Sequence, residues 1–350
     1  DPDLVVCNQN MATILDVEGK PAQAHVYRER AFRRQCLFVE SSPTAVRTVL
    51  VLAASGFGNV PLGLLLPART NNRIKWFIEY ATPGQEAELP LFDLVFNAIG
   101  DPDLAVPIND SVARVLEARG RPVLNPPAAV ARTRRDLTPT LLAGIPGVVV
   151  PAVMRANVPL PSPAELAAAG IGWPFLVRPI GSHGGKGLVR VDGPEADVVA
   201  AAETEAFYIT AFHDFRSADG YWRKYRMIYV DHEPFAYHLA ISQDWLVHYF
   251  SADMLAEPWK RDEECRFLEQ PAQVLGAQAM DALAAIGHRL DLDFGGVDFS
   301  LLADGSILVF EANATMLVQL TDRVEDFPYK HIHVPKIFRA FEAMLEERSK

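Results

Sequence analysis

The sequence predicts an α/β protein of two or three packed units, and three observations carry that expectation. From Arg47 onward, apolar strand-like runs alternate with helical stretches, the pattern of a small parallel sheet. At 350 residues the chain exceeds what one ordinary core holds. Two glycine-marked hairpin segments, FLVRPIGSHGGKGLVRV at 175–191 and FGGVDFSLLADGSILVFEANATM at 294–316, add strands that fold back on themselves.

Composition narrows the function. The chain is 49% hydrophobic and 22% charged, which are globular values. Its 33 basic and 44 acidic residues leave a net charge of −11, which argues against a nucleic-acid partner because phosphate-backbone affinity needs a basic face. A local basic pocket for a small anion is compatible with that balance. Cys7, Cys36 and Cys265 are odd in number and lack CxxC spacing, so neither a disulfide framework nor a cysteine zinc site is expected. No apolar run of membrane-spanning length and no signal peptide is visible, so no membrane partner and a reducing, cytoplasmic location are expected. A first residue of Asp1 leads to the expectation of a processed or trimmed chain.

Residues 8–38 read as a helical hairpin, with Glu18-Gly19-Lys20-Pro21 breaking the run. The hairpin faintly resembles one tetratricopeptide unit, which cannot bury its face by stacking alone and so would dock on the main body or end a longer array. The run TVLVLAASGFGNVPLG is a strand followed by glycines. Its third glycine, Gly63, comes five positions after Gly58, whereas a dinucleotide fingerprint wants three. Further strands are expected at 74–81 and 91–101, then a helix from Ser111 to about Arg119 capped by Asp110 or Ser111. Ligands of parallel sheets sit beyond the strand C-termini, which points Asn59, Asn97 and Asp101 toward a cleft; the alternative for each is a satisfied loop residue. NPPAAVARTRRD marks a boundary near residue 126. A helix at about 135–143, the strand VVVPAVMRA, the helix PAELAAAG and the hairpin at 175–191 then form a compact segment to about residue 205. FYITAF reads as a strand or hinge, KYRMIYV and PFAYHLAI as an antiparallel pair, and 271–290 as one long helix.

In the first hairpin segment, Gly181, Gly184, Gly185 and Gly187 let backbone N–H groups approach an anion while Lys186 adds a point charge. The spacing is not that of a Walker loop, which needs four residues before its Gly-Lys and then Ser or Thr. A glycine-rich surface hairpin is the alternative. In the second, a two-residue turn at Asp304-Gly305 pairs positions whose numbers sum to 609. Phe299 then faces Phe310 and Val297 faces Ala312 on one side. Asp298 faces Glu311 and Gly296 faces Asn313 on the other, with the two carboxylate Cβ atoms about 5 Å apart. Like charges so close repel, and a divalent cation removes the penalty; an Asp, Glu and Asn oxygen set suits Mg²⁺, which takes its remaining ligands from water and phosphates. A solvent-facing acidic edge is the alternative.

The order of RDLTPTLLAGIPGVVVP, FLVRPIGSHGGKGL, YITAF, KYRMIYV and GGVDFSLLADGSILVFEANATM resembles the ATP-grasp superfamily of carboxylate–amine ligases, including glutathione synthetases, D-alanine ligases and ribosomal-protein glutamate ligases. The resemblance covers about residues 45–345. After the helical hairpin (1–40), it implies a preceding small parallel α/β domain (41–127), a lid subdomain (128–205) and a metal-binding subdomain (206–350). It also implies that Ser182, His183, Gly184, Gly185 and Lys186 cover the phosphates of ATP, that Tyr208, Ile209, Thr210 and Phe212 form the hinge whose backbone meets adenine, and that Asp214 meets the ribose. Asp298, Glu311 and Asn313 fall on the family's magnesium ligands, and Arg226 on the arginine that contacts the transferred phosphate, with Lys224 two residues away. Two positions that usually carry lysine are here Arg135, or Arg134, and Arg178. The segment after Asn313, Ala-Thr-Met, departs from the Pro-Gly often seen in D-alanine ligases.

The activity so implied is ATP-dependent C–N ligation. A substrate carboxylate takes the phosphoryl group, an amine attacks the acyl phosphate, and Arg226, Lys224 and Lys186 neutralise the moving charge. His238, Trp245, His248 and Tyr249 are candidates for the acceptor pocket, and Arg266, Glu264, Asn59 and Asn97 for contact with substrate. His331 and His333 have no partner at zinc spacing. An ATP-grasp kinase and a nucleotide-binding regulator without turnover are the alternatives. The expected partners are small carboxylates and amines, with a homodimer as the expected assembly.

Overall fold

The computed structural model describes residues 2–56, 58–105, 112, 116, 120–182, 184–193 and 206–350. Most of the expected helix at 111–119, with its caps Asp110 and Ser111, lies outside the described residues, as does His183. Among the described residues the fold is mixed α/β with three sheets. The chain divides into two compact units: Asp1–Gly100 with Leu104–Pro127 and Glu342–Lys350, and Asp101–Asp103 with Ala128–Phe341. Among the described residues no helix is long and apolar enough to cross a membrane.

The first unit opens with α1 (Pro2–Val17) and α2 (Pro21–Phe32), separated where Gly19 takes a positive φ and Pro21 starts the second helix. The hairpin does not continue to residue 38 as expected. The apolar run Leu37–Glu40 instead forms β1, an antiparallel edge strand on β3 (Asn71–Phe77). Phe32 closes the joint by stacking on Phe77 with ring centroids 4.2 Å apart, so the helices do dock on the body of this unit. β2 (Arg47–Ala53) lies between β3 and β4 (Leu94–Asn97), and β5 (Val123–Leu124) follows β4, all parallel. β2 is buried on both faces, which its unbroken run Val49-Leu50-Val51-Leu52 anticipates.

The second unit holds two sheets. The smaller has the order β7 (Val153–Asn157), β10 (Ala206–Ala211), β8 (Phe175–Pro179), β9 (Val189–Val191), all antiparallel. The larger has the order β12 (Glu233–Ser242), β11 (Trp222–Val230), β13 (Phe294–Leu301), β14 (Ile307–Asn313), β6 (Val148–Val149). The single strand expected over VVVPAVMRA is thus two strands of different sheets, parted at Pro151, whose missing N–H ends a ladder. The expected helix at 271–290 breaks at Gly276, leaving a turn at Pro271–Leu275 after α3 (Pro258–Glu269) and before α4 (Ala277–Leu290). The chain ends on α5 (Pro328–His333) and α6 (Pro335–Arg348).

The β13–β14 hairpin corrects the expected register in an instructive way. Leu302 N–H donates to Ser306 O at 2.8 Å and Gly305 N–H to Leu302 O at 3.0 Å, with Gly305 at φ 82, so the turn has three residues rather than two. Phe299 therefore faces Val309, not Phe310. A bulge then takes up Phe310, and from Asp298 onward the pairs are the expected Asp298 with Glu311, Val297 with Ala312 and Gly296 with Asn313. Gly296 is needed where it stands: a Cβ there would lie 2.7 Å from both Met227 O and Met316 Cγ. Gly296→Ala is expected to cost about 1–3 kcal/mol in urea unfolding, because part of the obstacle is backbone. Unchanged stability would contradict this packing.

Candidate functional site

One face of the larger sheet carries a row of polar side chains directly opposite one another across four strands. His238 on β12 faces Arg226 on β11, Arg226 faces Asp298 on β13, and Asp298 faces Glu311 on β14. With strands about 4.8 Å apart, the row runs about 14 Å from His238 to Glu311. Its charges are matched in pairs. Arg226 donates from Nε to Asp298 Oδ1 at 2.6 Å and from Nη2 to Oδ2 at 2.9 Å, and Lys224, two residues along the same strand face, stands 3.4 Å from Oδ2. Arg135 donates to Glu311 Oε1 at 2.6 Å, Asn313 Nδ2 donates to the same oxygen, and Arg178 lies 3.9 Å from Oε2.

These pairs set the protonation states. Burial alone would push the Asp298 carboxyl up, but Arg226 and Lys224 outweigh it and hold the group well below the usual carboxylate range. Burial likewise opposes ionisation of Glu311, and Arg135 and Arg178 bring it down to about 2. Arg178 is pushed down to about 10 by burial and by neighbouring Arg135. His238 is held well below its ordinary value by burial and then by Arg226, which keeps the ring neutral.

The row forms one wall of a cavity of about 430 Å³ in the second unit. The opposite wall comes from the smaller sheet through Leu176, Arg178, Tyr208 and Thr210, and from the glycine loop through Gly184, Gly185 and Leu188. The loop closes toward residues 245–249: a Cβ on Gly184 would lie 3.4 Å from His248 Nε2, and one on Gly185 3.6 Å from Leu246 Cδ1. Arg178 fastens the start of the loop by donating to Ser182 Oγ at 3.1 Å and Ser182 O at 2.9 Å. Among the described residues lining the cavity, five cationic side chains (Arg135, Arg178, Lys224, Arg226, Lys330) meet three carboxylates (Asp298, Glu311, Asp322). In a chain of net charge −11, that local excess favours a polyanion.

Of the residues singled out in the sequence, Arg135, Arg178, Lys224, Arg226, His238, Asp298, Glu311 and Asn313 come together on this cavity, with Trp245, His248 and Tyr249. Ser182 lines a small recess beside it with Thr133, Arg135, Glu311 and Asn313. Others are placed elsewhere. Lys186 is exposed and does not line the cavity; the loop's glycines, not its lysine, face inward. Arg134 pairs with Asp136 at 2.6 Å. Asp214 is exposed and accepts from Arg216. Arg266 is exposed on α3, while Glu264 on the same helix is fully buried. Asn59 and Asn97 belong to the first unit. Asn59 is taken up by Ala54 and Gly56, and Asn97 by Asn125 and Ile99, as satisfied loop residues are. The residues expected as a hinge are strand residues. β10 is paired on both sides, so the main-chain groups of Tyr208, Ile209 and Thr210 are committed to the sheet. Residues that leave the ladder and still line the cavity begin at Phe212 and His213. The Tyr208 hydroxyl instead donates to Asp103, at 2.9 Å from Oδ1 and 2.8 Å from Oδ2.

The structure adds a cluster that nothing local in the sequence marks. Lys330, 4% exposed, sits 2.9 Å from Asp322 Oδ2 and 3.4 Å from Glu264 Oε1, and donates to the Tyr249 hydroxyl. Glu264 also accepts from Tyr329 OH at 2.6 Å and Leu239 N–H at 3.2 Å. Only the adjacent histidines of PYKHIH stand out in the sequence, and no periodicity there signals a buried lysine.

The donor set can be tested against a divalent cation. Asp298 and Glu311 offer the carboxylate oxygens such an ion takes, and each keeps lone pairs beyond those its present partners use. Asn313 Oδ1 already accepts from Thr315 N–H at 2.9 Å and Thr315 Oγ at 3.0 Å, so it is occupied as it stands. Among the described residues no three of His, Cys, Asp and Glu gather as metal ligands. The two carboxylates fit, provided an incoming anion draws the arginines and lysines off them.

No protein-family model matches the chain, and no curated protein does. Solved structures similar to it include the ATP-grasp ligase PsnB with a phosphomimetic variant of its minimal precursor, Mg and ADP, at TM-score 0.48 and 15% identity over 87% of this chain and 100% of that one. The D-alanine–D-alanine ligase of Bacillus anthracis complexed with ATP gives TM-score 0.49 and 14% identity over 87% and 98%. The VanG D-Ala:D-Ser ligase of Enterococcus faecalis gives 0.49 and 12% over 85% and 98%. At these values the likeness decides neither reaction nor substrate, which must be argued from the side chains.

The Glu311 ion pairs give a pH test. A carboxyl held at about 2 against an ordinary 4.5 contributes stability that is fully present above 4.5 and is lost as pH falls toward 2. Unfolding free energy measured across that window should fall less steeply in Glu311→Gln than in the unaltered chain. Equal slopes would mean that Glu311 is not held by Arg135 and Arg178.

Proposed function

We propose that this chain is an ATP-grasp carboxylate–amine ligase that seats ATP in the cavity of the second unit. The observation that carries the proposal is the row of Arg226, Asp298 and Glu311 facing Arg178 and the glycine loop across a cavity with excess positive charge. The sequence resemblance to ATP-grasp ligases supports the same assignment, since its motifs supply these residues.

In this scheme Arg135 and Arg178 bind the phosphate chain, and the main chain of Gly184 and Gly185 covers it. The purine lies toward Phe212 and His213, where the main chain leaves the smaller sheet. Asp298 and Glu311 would hold magnesium, which when bound would neutralise phosphate charge. A carboxylate oxygen of the substrate attacks the γ-phosphorus, the bond to the β-phosphate oxygen breaks, and ADP leaves. Arg226 and Lys224 stabilise the charge on the moving phosphoryl group, poised by contacts that already exist. The neutral amine nitrogen then attacks the acyl carbon and gives up a proton to water, the acyl carbon–oxygen bond breaks so that inorganic phosphate departs, and an amide remains.

Incubation with ATP, magnesium and pools of small carboxylates, using hydroxylamine as a general nucleophile, tests the assignment. A hydroxamate with stoichiometric ADP and phosphate is expected. ADP without free phosphate would indicate a kinase, and no turnover across wide pools a nucleotide-binding regulator. Arg226→Lys retains charge but loses the two-pronged grip, and is expected to lower turnover by about 10-fold or more. Undiminished turnover would remove Arg226 from the reaction.

A further inference from the structure

We propose that the end of the cavity where Asp322, His238 and Lys330 meet binds the primary ammonium group of the amine acceptor. The role in catalysis rests on the ligase assignment above; the binding itself does not.

Asp322 is distinguished by what it lacks. Of the three carboxylates on the cavity wall, Asp298 has both oxygens engaged by Arg226, and Glu311 is flanked by Arg135, Arg178 and Asn313. Asp322 accepts from Lys330 through Oδ2 alone, and its Oδ1 has no partner among the described residues. The group is half-buried, with its side chain 26% exposed. Its partner is also shared. Lys330 stands between Asp322 and the fully buried Glu264, 2.9 Å from one and 3.4 Å from the other. Burial pushes Glu264 up to about 8 and Lys330 down to about 7, each toward its neutral form. Asp322 therefore keeps an oxygen open to a further donor.

His238 supplies a second acceptor. Its ring is 6% exposed and lines the cavity, and its Nδ1 has no hydrogen-bond partner. Four buried side-chain atoms among the described residues share that condition, and His238 Nδ1 alone belongs to the cavity wall. An unmet buried nitrogen is costly unless a ligand or water completes it. The His238 ring is 5.0 Å from the Tyr249 ring, over which Lys330 Nζ sits at 4.0 Å, so both acceptors belong to one end of the cavity. An anion would find less there, because Lys330 Nζ already faces Asp322, Tyr249 and Glu264. The position also suits an acceptor: His238 is directly opposite Arg226 and one strand further from Asp298, beyond the phosphoryl-transfer end.

Saturation-transfer NMR on the full chain with n-butylammonium, and with 1-butanol as its uncharged counterpart at matched ionic strength, tests the site. The expected result is binding of butylammonium about tenfold or more tighter than butanol, a charge-assisted contact. Asp322→Asn should weaken butylammonium about tenfold while leaving affinity for an unhydrolysable ATP analogue unchanged. His238→Gln should weaken it less. Equal binding of the two probes by the unaltered chain, or undiminished butylammonium binding in Asp322→Asn, overturns the proposal. If Asp322→Asn fails to fold, His238→Gln and the discrimination between probes decide. Charge-selective ammonium binding in a chain that does not bind the nucleotide analogue would support this site and remove the ligase assignment.

Discussion

The pairing of Arg226 with Asp298 is the constraint on which the rest of the site depends. Both side chains project from inner strands of one sheet onto one face, and both oxygens of the carboxylate are met by one guanidinium. Removing one partner of so buried a pair costs about 3–5 kcal/mol, because the survivor keeps its charge without compensation. The row extends the pair in both directions, to neutral His238 and to Glu311 with its own arginines. Charge is therefore stored in matched form across the sheet. In the proposed assignment a triphosphate would exchange places with the carboxylates as the partner of these cations, and the freed carboxylates would then suit a divalent ion.

Arg178 does more than pair with Glu311. Arg178 reaches Ser182 through two different nitrogens while remaining 3.9 Å from Glu311, so one side chain ties the glycine loop to the acidic row. A lysine, with a single nitrogen on a flexible stem, has no equivalent planar fork. This gives the loop a fixed origin beside the acidic row even though its tip carries glycines at 184, 185 and 187, each with positive φ. In the proposed assignment it also leaves Lys186 idle, because charge over the phosphates would come from the strand beneath.

Much of this was legible in the sequence because β-strand periodicity is strict. Asp298, Glu311 and Asn313 fall on one face by simple alternation, and their pairing survives although the turn is a residue longer than Asp304-Gly305 suggests. The extra turn residue and the bulge at Phe310 cancel, and neither leaves a local signature strong enough to read. The parallel strands at 47–53 and 94–97 were equally plain as continuous apolar runs. What could not be read is whatever long-range contact decides. Leu37–Glu40 becomes a strand because β3 offers it an edge, and Pro151 divides one apolar run between two sheets. Lys330 and Asp322 lie eight residues apart but Glu264 lies far upstream, and the three meet only after α3 has packed on β12 and α5 on α3. The main-chain availability of 208–210 likewise depends on β10 having neighbours on both sides.

The central claim is that the cations of this row change partners when nucleotide arrives. A crystal structure with an unhydrolysable ATP analogue and Mn²⁺, located by anomalous scattering, tests it most directly. The account predicts the triphosphate between Arg178 and Arg226, with the metal bound to oxygens of Asp298 and Glu311 and the Arg135 contact to Glu311 loosened. Nucleotide bound elsewhere, or bound here with the metal absent from both carboxylates, would contradict it.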